Sequence, residues 1–214
     1  MSKSSRLALR GPLGIALLGA VPALPGAFVL AGILQGPDTK GFLHDMVQPH
    51  YFATPEPIVI HIATGIVFCL LAPFQFSSRL RIRYRGLHRL LGRVTMIAGL
   101  LFALTAILLM GRPPAAPELW LHFTAMNVGG FGAGLSLCLS FVAIRRRDVA
   151  SHQQWMRRAI AFGLLGASRI LFDLILIPVF GYETPSSEGM SVWLALALNL
   201  FVAERLSRAD NRSA

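Results

Sequence analysis

The sequence predicts an all-α integral membrane protein, a helical bundle of six transmembrane helices whose second to fifth helices form a central four-helix core. Three observations carry this. Of 214 residues, 54% are hydrophobic and only 14% charged, with a mean hydropathy of +0.60, so there are too few polar groups to clothe a water-soluble globule. Charges are excluded from several runs that each suffice, or nearly so, to cross about 30 Å of hydrocarbon at about 1.5 Å per residue. The basic residues gather in alternate loops. The same composition excludes a disordered chain and a coiled coil, and two cysteines exclude a disulfide scaffold.

The first uncharged run, 11–37, follows Lys3, Arg6 and Arg10 and predicts a helix over 11–35, bent at Pro22 and Pro25. It outlasts the apolar core of a typical leader and has no small-residue cleavage site near Gly36, so a retained helix is expected. Runs 57–78, 94–111 and 119–144 predict spans over 57–77, 90–111 and 118–144. The fifth, 159–182, is interrupted only by Arg169 and Asp173. Its span is expected over 152–181, because Ser151 and Gln154 form a capping-box pattern that would start the helix at His152. The sixth run, 189–203, is short and predicts a span over 187–204, with Glu188 and Glu204 at its ends. All six belong to one transmembrane domain, 1–214.

A net charge of +10 would suggest nucleic acid as the partner of a soluble protein, but here its distribution points to the bilayer, and no nucleic-acid partner is expected. Arg79, Arg81, Arg83, Arg85, Arg89 and Arg93 lie between or just inside the second and third spans. Arg145, Arg146, Arg147, Arg157 and Arg158 lie between or just inside the fourth and fifth, and Arg205, Arg208 and Arg212 near the end. The alternate loops hold only Lys40 and Arg112 against Asp38, Asp45, Glu56, Glu118, Glu183 and Glu188, the last two reading as solvated loop charges. The positive-inside rule then places both termini and the arginine-rich loops in the cytoplasm of a bacterial inner-membrane protein.

Four of the six histidines repeat a pattern. His61 and His122 stand a turn or so inside the outer ends of the second and fourth spans, and His88 and His152 open the third and fifth at the inner surface. The chain thus contains one hairpin twice, and two such hairpins would be related by an axis along the membrane normal. In a four-helix bundle built from them, the second and fourth helices can lie diagonally opposite, as can the third and fifth. His61 would then face His122, and His88 would face His152, in layers about 20 to 25 Å apart by helix rise.

Two imidazoles from opposing helices at one depth are what a six-coordinate haem requires, so one or two b-type haems are the expected cofactor, with all four histidines as axial ligands. Gly65 and Gly92, each four residues after a histidine, and Gly129, Gly130, Gly132 and Gly134 below His122, would leave room for a macrocycle. Arg89, Arg93 and Arg157, with Arg158, would supply counter-charge to propionates at the inner layer. Each signal also has a structural account, since histidines suit membrane interfaces and small residues pack helices. Arg169 and Asp173, four apart, share a helix face and either neutralise one another or form a proton or anion position between the layers. Cys69 and Cys138 share no depth, so neither a disulfide nor a thiolate site is expected, and His44 and His50 remain unassigned.

The stretches Ile60-His61, Ala72-Pro73-Phe74-Gln75-Phe76, Arg79, Leu87-His88-Arg89 with Gly92-Arg93, and His152 with Trp155-Met156-Arg157 resemble a bacterial membrane-protein family, domain of unknown function 2306, over roughly residues 57 to 175. That resemblance implies a multi-helix membrane protein and no particular activity. More distantly the chain is similar to the cytochrome b561 superfamily, which implies two haems held by four histidines, here His61 with His122 and His88 with His152. The ascorbate-site motifs of its eukaryotic members have no match, so neither electron donor nor acceptor is named. The expected function is a b-type cytochrome carrying electrons across the bilayer, a transmembrane oxidoreductase in the enzymatic sense. The alternative is a non-redox carrier, lipid-binding protein or structural subunit.

Overall fold

The computed structural model describes residues 17, 20, 21, 23–45, 47–111, 113–181 and 184–213, and these build helices with no strand among them. The longer helices, in order, are α1 (Ala23–Gln35), α2 (Glu56–Leu71), α3 (Arg85–Met110), α4 (Trp120–Arg145), α5 (Val149–Gly163), α6 (Leu165–Phe180) and α7 (Pro185–Ser213). Four segments are long and apolar enough to cross a bilayer: Glu56–Phe76, Arg85–Met110, Pro117–Arg145 and Pro185–Ala209. The pair α5 and α6, bent by 48°, makes a fifth. The described residues therefore hold four or five spans where the sequence predicts six.

The difference lies at the first run. Its described helix, α1, has 13 residues, short of the roughly 20 that a crossing needs, and Pro22 and residues 11–16 lie outside the described residues. Pro25 occupies the first turn of α1, where its missing N–H is not called upon, and the expected bend at Pro22 lies outside the described residues. The sixth run, the shortest in sequence, is instead the longest helix. Thr184 and Ser187 cap α7 reciprocally, the Ser187 amide donating to Thr184 Oγ1 at 3.0 Å and the Thr184 amide to Ser187 Oγ at 2.9 Å. Beyond the apolar run, Glu204 accepts a 2.6 Å bond from Arg158 Nε, which carries the helix past its predicted end.

The fifth span departs from expectation at both ends. Asp148, and not Ser151, caps it: the Asp148 carboxylate accepts from the Ser151 amide at 3.0 Å, and the helix begins at Val149 with His152 already inside its first turn. The span then breaks at Leu164. A break in hydrocarbon frees backbone carbonyls, which must find new donors. Asn199 Nδ2 on α7 donates to the Ala161 carbonyl at 2.9 Å, and Cys69 Sγ on α2 reaches the Gly163 carbonyl at 3.6 Å. Asn199 Oδ1 also accepts from Ser168 Oγ on α6 at 2.8 Å, so one amide clasps both halves of the broken helix. Neither cysteine forms a disulfide.

Helix α2 packs on α3, α3 on α4, α4 on α5, and α5 returns to α2, so α2 and α4 are diagonal, as are α3 and α5. This is the four-helix core that the hairpin repeat predicts. Outside it, α7 lies along α4, α5 and α6, and α1 leans on α2. Small residues close the interior, among them Ala98, Ala103, Ala125, Ala133, Ala159 and Ala167, while leucines such as Leu104, Leu135 and Leu174 face outward. That arrangement suits a lipid surround, where close helix approach stabilises the bundle and large apolar groups gain nothing by hiding. At the centre Phe68 is 1% exposed, and its ring lies where a Cβ on Gly99 of α3 or Gly163 of α5 would stand.

Candidate functional site

At the arginine-rich end, His88 and His152 project from the first turns of diagonal helices. His152 is fixed by the α4–α5 hairpin, which sets it opposite Ser140, the two residues equally far from Arg146 at the turn. Its Nδ1 lies 3.1 Å from the Ser140 carbonyl and 2.8 Å from Ser140 Oγ, while that hydroxyl donates to the His152 carbonyl at 3.3 Å. A carbonyl can only accept, which favours the tautomer with its proton on Nδ1 and a lone pair on Nε2. His88 is within electrostatic reach of His152 and Arg81.

The same region holds buried nitrogens with no hydrogen-bond partner among the described residues, His88 Nδ1 and Gln75 Nε2. Gln75 belongs to the 3-10 turn Ala72–Phe76 and lies beside Gly92, one turn above His88, with Oε1 3.3 Å from where a Cβ would be. Of the arginines expected here, Arg157 turns inward, its guanidinium 5.4 Å over the Phe76 ring and 3.3 Å from Ser207 Oγ. Arg89 and Arg93 are exposed. Arg158 stacks at 4.2 Å on Trp155 and pairs with Glu204.

At the other end the two histidines face different neighbours. His61 Nδ1 donates to the Phe102 carbonyl at 3.2 Å and lies 3.2 Å from Thr105 Oγ1, and its ring stacks on Phe102 at 4.4 Å. It borders a partly open cavity of about 170 Å³ lined by α1, α2, α3, α4 and the α5–α6 break. His122 looks toward α7, where a Cβ on Gly189 would lie 2.8 Å from its backbone nitrogen. Its Nδ1 stands 3.9 Å from Glu188 Oε2. Glu188 Oε1 accepts from the Arg169 guanidinium at 2.9 Å, and Arg169 Nε donates to Asp173 Oδ2 at 2.9 Å. No hydrogen bond or ring contact joins His122 to His61 among the described residues.

One reading is thereby corrected. Glu188 is no solvated loop charge: it sits in the first turn of α7 and bridges Arg169 and His122, while Glu183 lies outside the described residues. Two of the glycines expected to leave room accommodate aromatic side chains. Gly65 gives way to the Phe102 ring and Gly132 to Phe162, while Gly92 adjoins Gln75, Gly129 Leu165, and Gly130 and Gly134 the α3 wall at Ala103. Sequence reasoning passed over Ser140 and Thr105, and it named Gln75 only within the family-like stretch and Glu188 only as a loop charge. Ser140 left a signal in its symmetric register with His152 about the basic turn. No cluster of three or more metal-ligating side chains occurs among the described residues.

The chain belongs to the family described as predicted membrane protein (DUF2306), which matches residues 58–207. No curated protein and no solved structure matches it.

Proposed function

We propose that this membrane protein is a b-type cytochrome-like electron carrier, with one haem held between His88 and His152 at the arginine-rich end. The observation that carries the reading is that these residues stand at one end of diagonal core helices, within electrostatic reach of one another, and that His152 turns Nδ1 to the Ser140 carbonyl, which leaves Nε2 for a metal. Buried nitrogens of His88 and Gln75 without a hydrogen-bond partner lie at the same end, and polar groups of a bound cofactor could meet them, although His122 Nδ1 at the other end shares that condition. Haem would supply one-electron redox chemistry. The chain's own residues do the rest. Ser140 fixes the tautomer and rotation of His152, Gln75 offers a donor beside Gly92, and Arg157, with exposed Arg89 and Arg93, sets a positive field suited to carboxylates. By the positive-inside rule this end faces the cytoplasm of a bacterial inner membrane.

The test is a reduced-minus-oxidised spectrum of the purified protein with a pyridine extract for haem. A b-type signal is expected, lost in His88→Ala and His152→Ala and kept in His122→Ala. A featureless spectrum with no extractable haem overturns the proposal and leaves the non-redox alternative.

A further inference from the structure

We propose that the cavity beside His61 binds a neutral molecule built on one aromatic ring that carries a hydroxyl group, the chemistry of a phenol or a quinol headgroup. This stands independently of the haem reading, because Phe68 fills the bundle centre between the two ends.

Size comes first. At about 170 Å³ the cavity is close to the ~150 Å³ apolar cavity that takes up one benzene ring, a volume for a single ring rather than a macrocycle. Its walls are apolar and partly flat: Phe102 and Phe162 contribute rings, Met126 a pliable thioether, and Gly129 and Gly130 bare helix backbone. Such walls exclude a charged guest.

Chemistry comes second. Two polar side chains reach the wall. The Cys69 thiol is already bound to the Gly163 carbonyl, which leaves His61. Because the Phe102 carbonyl can only accept, the His61 proton lies on Nδ1 and its Nε2 offers a lone pair. The complementary guest has one donor on an apolar body, and a hydroxyl on an aromatic ring is the neutral group that fits both demands. A ring of the same size without the donor leaves Nε2 unmet.

The experiment uses the full chain labelled with 15N-histidine and titrated in micelles with phenol and with toluene, which bears a methyl where phenol bears its hydroxyl. The His61 Nε2 resonance, assigned by its loss in His61→Gln, should shift saturably with phenol, with toluene at least tenfold weaker. Ala133→Leu places a larger side chain into the cavity and should abolish the phenol shift while thermal unfolding shows the protein folded. Should that variant fail to fold, Ala106→Leu at the α3 wall serves the same purpose. Equal titrations by phenol and toluene, or an unchanged phenol titration in a folded cavity-filling variant, would overturn the proposal.

Discussion

Individual side chains in this protein are governed by what a carbonyl or carboxylate next to them permits. His61 and His152 each meet a carbonyl and a hydroxyl through Nδ1, and the carbonyl, which can only accept, favours a proton on that nitrogen. Asp148 shows the same logic in the loop before α5. The hydroxyl and amide of Ser151 hold its carboxyl below the ordinary value of 3.8. A carboxylate depressed in the folded state contributes stability above its unfolded value and loses it as pH falls through the folded one. Asp148→Ala should therefore lower the melting temperature by a constant amount at neutral pH, and the gap to wild type should close only below pH 3.8. A gap that widens in acid would contradict the cap.

Among the elements, the α5–α6 break shows how a polar side chain makes irregular backbone tolerable inside a membrane. Asn199 binds the Ala161 carbonyl on one side and Ser168 on the other. Replacing it with leucine keeps the volume near constant but strands that carbonyl, at a cost of about 1–3 kcal/mol. Asn199→Leu should unfold at lower denaturant and speed amide exchange around residues 161–168, and an unaltered exchange pattern would show that the clasp carries no load. The break could not be read from the sequence. Gly163 sits in an otherwise ordinary apolar run, and what lies against it there, the Phe68 ring of another helix, is set by tertiary packing. Helix α7 misled in the opposite direction, since its apolar run understates a helix whose capping and Glu204–Arg158 pair lie at the margins.

For the whole molecule, Phe68 is the piece on which all four core helices converge, touching Gly99, Gly163 and the neighbourhood of Leu137. Phe68→Ala should cost about 3–5 kcal/mol, the range for emptying a packed aromatic site. Unfolding in mixed micelles measures this, and a loss under about 1 kcal/mol would mean the centre collapses readily around the gap. The diagonal order of the core was legible in advance because two hairpins of like orientation can close a bundle in few ways. Which histidines share a partner was not. His122 and His61 occupy equivalent places in the repeat, yet Glu188 on α7, an element outside the repeat, lies beside one of them.

The sequence by itself determined that the chain is helical and membrane-embedded, and at which end of its helix each histidine stands. Hydropathy and charge act through length along the chain and through the water boundary, and both can be counted residue by residue. Only the tertiary structure decided how far each helix runs, where the fifth span breaks, and which way each imidazole turns. Those depend on rotation about helix axes, which small packing residues leave free until a neighbour's ring, carbonyl or carboxylate fixes it.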